Sequence, residues 1–62
     1  MNTNQTSKLS RDFVAMITEG MEPLDCLRYA TDEGIEYSDA VWLVTRVLKL
    51  DDDAVFEMEE SY

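Results

Sequence analysis

From Ala40 to Leu50 the chain reads AVWLVTRVLKL, its one stretch apolar enough to form the central helix of a small bundle. On a wheel of about 100° per residue, Ala40, Val41, Leu43, Val44, Val47, Leu48 and Leu50 cover roughly half the circumference. Ser38, Asp39, Thr45, Arg46 and Lys49 fill the other half, with Trp42 near its middle. A surface helix needs an apolar arc of only about 100°, so this wide arc requires two or more neighbours, or a second chain. The spacing predicts a helix over 38–50. Ser38 is the expected N-cap, and Tyr37 and Trp42 stand at the spacing of a hydrophobic staple. Arg46 and Lys49, both near the C-terminal end, suit the helix dipole.

Two shorter amphipathic stretches precede it. Leu9, Phe13, Met16, Ile17 and Met21 recur every three or four residues, which predicts a helix over 8–20 capped by Ser7 or Ser10. Gly20 is its expected stop. Pro23 suits the first turn of a second helix, over 23–33. Leu24, Cys26, Leu27 and Ala30 form its inner side, and Asp25, Arg28, Tyr29, Asp32 and Glu33 its outer side. Arg28 and Asp32 are one turn apart and oppositely charged. Gly34 followed by Ile35 reads as a C-terminal cap with its apolar residue beyond.

The ends are different. Residues 1–7 are small and polar and are expected to be disordered. In residues 51–62, Asp51 to Asp53 end one helix and can cap another. Beyond them, Val55, Phe56 and Met58 fit a short fourth helix, whereas Phe56 and Met58 alternating with Glu57 and Glu59 fit an edge strand. The helix is favoured, because a lone strand has nothing to pair with. The expected architecture is all-α: a compact three-helix bundle over 8–50, with an acidic tail over 51–62 that can form a short fourth helix.

Size and charge narrow the role. A 62-residue chain is one domain and buries only about 60% of the surface its unfolded form exposes. Small domains of this kind draw on disulfides, metals or oligomers. One cysteine, Cys26, gives no internal disulfide, and one thiol without any histidine makes a poor zinc site. The net charge is −9, and residues 51–62 hold six of the 14 acids and none of the five bases. That field repels nucleic-acid phosphates and anionic membranes, and steers in basic surfaces. No apolar signal core or membrane-length stretch is present, so the expected location is the cytoplasm.

The chemistry points away from catalysis. The commonest general base is absent with histidine, Cys26 has no base nearby in sequence, and the glycines are single. Asp51, Asp52 and Asp53 lack the alternating spacing of a calcium loop. No enzyme activity, cofactor or metal is expected. Two features remain as candidates for function. Trp42 sits in a polar stripe, where either Tyr37 or Phe56 covers it with Arg46 adding a cation–π contact, or it anchors a partner. The acids of the tail are either a solvated end or a lure for a basic surface.

Two small-bundle patterns bear comparison. Helix two, the turn at Gly34 and helix three faintly resemble a helix-turn-helix, which implies DNA reading by helix three. Asp39 at its start and only Arg46 and Lys49 for phosphates depart from that pattern. Gly20-Met21 and Ala40-Val41-Trp42-Leu43 are faintly similar to ubiquitin-associated modules, although Glu22-Pro23 replaces the aromatic that follows Gly-Met there.

The expected function is therefore a non-catalytic, acidic protein-binding module, an adaptor or inhibitor. Small acidic chains of this kind are frequent among phage- and plasmid-type accessory proteins that act on host machinery. Tyr37, Trp42 and Arg46 are the expected anchor, with Asp51, Asp52, Asp53, Phe56, Glu57, Glu59 and Glu60 the expected steering surface. The partner is another protein with a basic surface, with no direct nucleic-acid or membrane binding. The alternatives are a nucleic-acid mimic, a helix-turn-helix regulator and a homodimeric assembly unit seeded by the wide arc of helix three.

Overall fold

Four helices follow one another in the computed structural model, which describes residues 3–62. They are α1 (Thr3–Thr18), α2 (Pro23–Asp32), α3 (Tyr37–Leu48) and α4 (Asp52–Ser61). α3 packs on both α1 and α2, while α4 lies against α2 and α3. The radius of gyration, 10.5 Å, matches the roughly 10.6 Å that scaling gives a compact chain of this length.

The core is built from the predicted stripes. Leu9 and Phe13 of α1, Cys26, Leu27 and Ala30 of α2, and Ala40, Leu43 and Val44 of α3 are buried, joined by Ile35 and by Met58 of α4. Val41, Val47, Leu48 and Leu50 pack against that cluster, so the chain itself covers the wide arc of α3. Cys26 behaves as a small buried hydrophobe. Its Sγ lies 3.9 Å from the Phe13 carbonyl oxygen, and burial, with the charge of Asp25, pushes the thiol up to about 11.

The first three helices end alike. Gly20, Gly34 and Lys49 adopt the left-handed conformation. The residue after each one, Met21, Ile35 or Leu50, donates its N–H back to Met16, Ala30 or Thr45, closing a Schellman turn. α4 starts as expected, with Asp51 Oδ1 accepting the Ala54 N–H at 2.8 Å. Met58 then faces inward, which explains the helix over the strand: helical phase puts one side of the segment on the core.

Several expectations need correction. α1 begins at Thr3, so residues 3–7 are helical rather than disordered; residues 1 and 2 lie outside the described residues. Extending an already docked helix fixes one residue per added hydrogen bond, which polar residues tolerate. Ser7 and Ser10 therefore lie inside the helix, and Ser10 Oγ donates to the Thr6 carbonyl. α3 begins at Tyr37 with Glu36 at the N-cap, so Ser38 caps nothing. The staple positions fall on Ile35 and Ala40, both in the core, instead of Tyr37 and Trp42. Tyr29 turns inward, its ring edge-on to Phe13 at 6.4 Å and its hydroxyl donating to Asp12 Oδ2 at 2.7 Å. The ion pair among the described residues is Lys8–Glu33, at 3.8 Å, rather than Arg28–Asp32.

Candidate functional site

Trp42 is 54% exposed on the outer side of α3. Ala40, Leu43 and Val44 point into the core, and helical phase carries the position between them outward. Neither Tyr37 nor Phe56 stacks on the indole among the described residues. Its cover is Arg46, one turn on, whose guanidinium carbon lies 5.4 Å from the ring centroid. That contact places an exposed aromatic beside a cation. Thr45, also one turn from Trp42, has its hydroxyl oxygen buried without a hydrogen-bond partner.

Tyr37 belongs to a different cluster. Its ring lies 4.9 Å from that of Tyr62, tilted by 57°. Tyr62 in turn donates its hydroxyl to Thr31 Oγ1 at 3.2 Å, so the end of α4 spans the α2–α3 junction. Desolvation, followed by the charge of Glu59, raises the Tyr37 phenol above its ordinary value. Tyr37 and Trp42 are thus not one anchor.

α4 sorts its acidic residues by phase. Ala54 and Met58 face the protein. Phe56 is 63% exposed, with Asp52, Asp53, Glu59 and Glu60 exposed one turn before and after it. Phe56 thus stands among four acidic positions of α4, of which Glu59 also approaches the Tyr37 hydroxyl. Asp51 is occupied as a cap, and Glu57 lies to the side, on a groove shared with α2. Trp42–Arg46 and the Phe56 face are therefore separate surfaces, one cationic and one acidic.

Among the described residues no group of three or more acidic or cysteine side chains is placed to hold a metal ion, and no helix is long and apolar enough to cross a membrane. Sequence reasoning missed Tyr62 as the partner of Tyr37 and missed the α2–α4 groove. Both are contacts between residues far apart in the chain. No protein-family model, curated protein or solved structure matches this chain.

Proposed function

We propose that the protein is a non-catalytic binding module, an adaptor or inhibitor acting in the cytoplasm, which docks on a basic surface of another protein. The observation that carries this reading is Trp42, which stays 54% exposed in the folded chain with the Arg46 guanidinium beside its ring. Tryptophan and arginine are enriched among the residues that dominate the energetics of protein interfaces, and a tryptophan side chain, with two rotatable bonds, loses little entropy on docking. Phe56 and its acidic neighbours support the same reading from α4: the carboxylates steer a basic surface in, and the ring gives that surface something apolar to cover.

Affinity capture from the source cell tests it, with Trp42→Ala and a variant neutralised at Asp52, Asp53, Glu59 and Glu60. A partner that survives high salt and is lost with Trp42→Ala, at a cost of about 2 kcal/mol or more, is the expected result. A nucleic-acid-binding partner lost in salt and with the neutralised variant, yet indifferent to Trp42→Ala, would replace this reading with nucleic-acid mimicry, which the acidic positions of α4 favour. A retarded DNA duplex, abolished by Arg46→Ala, would replace it with helix-turn-helix regulation.

A further inference from the structure

Between the start of α2 and the side of α4 runs an open groove of about 210 Å³. Its apolar lining is Pro23, Leu24, Ala54 and Met58. Its charged lining is Glu22 and Glu57, and the Ser61 hydroxyl is the remaining polar group. No basic side chain lines it.

We propose that this groove receives a single arginine or lysine side chain from a basic segment of a partner protein. The inference rests on the protein-binding reading and deepens it by naming the chemistry of one contact. Both residues carry a hydrocarbon stem and a cationic head, and they bury the stem while keeping the head polar. Leu24, Ala54 and Met58 match the stem. Glu22 and Glu57 match the head through charge-assisted hydrogen bonds.

Other occupants fit less well. A helix N-terminus ordinarily attracts anions, but the capping box of α2 already serves much of this one. Pro23 has no N–H, the Glu22 N–H is donated to Asp25 Oδ2 at 3.0 Å, and the Glu22 carbonyl accepts from Asp25 and Cys26. Two further carboxylates then repel an anion. A purely apolar group would strip water from Glu22 and Glu57 without replacing it. Trp42 and Phe56 lie outside the groove, so occupancy here is independent of either.

Titration of the whole protein with N-acetyl-arginine amide at low salt, followed through amide chemical shifts, tests the proposal. Saturating shifts should peak at Leu24, Ala54, Glu57 and Met58, with a dissociation constant in the millimolar range. Glu57→Gln should weaken binding about five-fold. Glu19→Gln, which removes the same charge just past the end of α1 and outside the groove lining, should leave it nearly unchanged. Shifts strongest at Asp51–Asp53 or Glu59–Glu60 would overturn the proposal. So would equal weakening by the two variants, equally tight binding of N-acetyl-norleucine amide, or no saturable shift. Each of those outcomes leaves Trp42-dependent capture intact, so failure of the groove and failure of the binding-module reading are distinguishable.

Discussion

Tyr37 and Tyr62 meet ring to ring, 4.9 Å apart, and so tie the first turn of α3 to the residue that follows α4. Met58 is the one buried side chain of α4. The half-exposed Tyr62 ring adds a contact at its far end. Tyr62→Ala should lower stability by about 1 kcal/mol and speed hydrogen exchange of α4 amides more than those of α1. Tyr62→Phe keeps the ring and loses only the exposed bond to Thr31, so it should cost less. Denaturant unfolding and native-state exchange together check both. Equal exchange in α1 and α4 would mean that α4 opens only with the whole fold.

Lys49 ends α3 in a conformation that glycine occupies at the ends of α1 and α2, with φ 55° and ψ 49°. A side chain there costs about 1–2 kcal/mol. Lys49→Gly removes that strain but loosens the unfolded chain, so the net gain should be about 0.5 kcal/mol. Gly34→Ala should do the reverse and lose about 1 kcal/mol. Nothing stands within 4 Å of the added methyl at Gly34, so backbone strain alone sets that loss. Urea midpoints for the two variants should move in opposite directions.

The Thr45 hydroxyl oxygen is buried without a partner on a helix whose neighbouring positions feed the core. A buried polar atom left unpaired costs about 1–3 kcal/mol. Thr45→Val keeps the branched shape and deletes the orphan, and should raise stability by about 1 kcal/mol. Thr45→Ser keeps the hydroxyl, loses a methyl and should destabilise. Thermal unfolding of both variants distinguishes an orphan oxygen from one that finds a partner in solution.

What the sequence made legible was local. Pro23, Gly34-Ile35 and Asp51 each mark a helix end through chemistry confined to a few neighbours, and α2 and the start of α4 fall where they indicate. The apolar stripes located Phe13, Leu27 and Val44 in the core by periodicity alone. What failed depended on distant contacts or on cooperativity. Thr3–Ser7 are helical because α1 propagates back from Leu9 and Phe13. Tyr29 points inward because Asp12, on another helix, accepts its hydroxyl. Tyr37 leaves Trp42 because Tyr62 takes it, and Trp42 is left to Arg46, the one partner that helical spacing had supplied.

The bond from Tyr29 to Asp12 makes the fold sensitive to alkali. Hydrogen bonding to the Asp12 carboxylate, then desolvation, pushes the Tyr29 phenol from 10.0 up to about 12. Below pH 10 the phenol is protonated in both folded and unfolded chains, and the bond contributes in full. As pH rises through the window from 10 to about 12, the unfolded chain gives up the proton while the folded chain keeps it. The unfolded state then binds fewer protons, so stability falls with rising pH. Unfolding midpoints measured across that window should drop in the natural protein and drop less in Tyr29→Phe. The Tyr37 phenol and the Cys26 thiol, both also raised, add to the slope in both proteins. Phenolate absorbance should show Tyr29 titrating late in the folded protein and normally in urea. Identical slopes with and without the Tyr29 hydroxyl would show that the bond to Asp12 does not persist in solution.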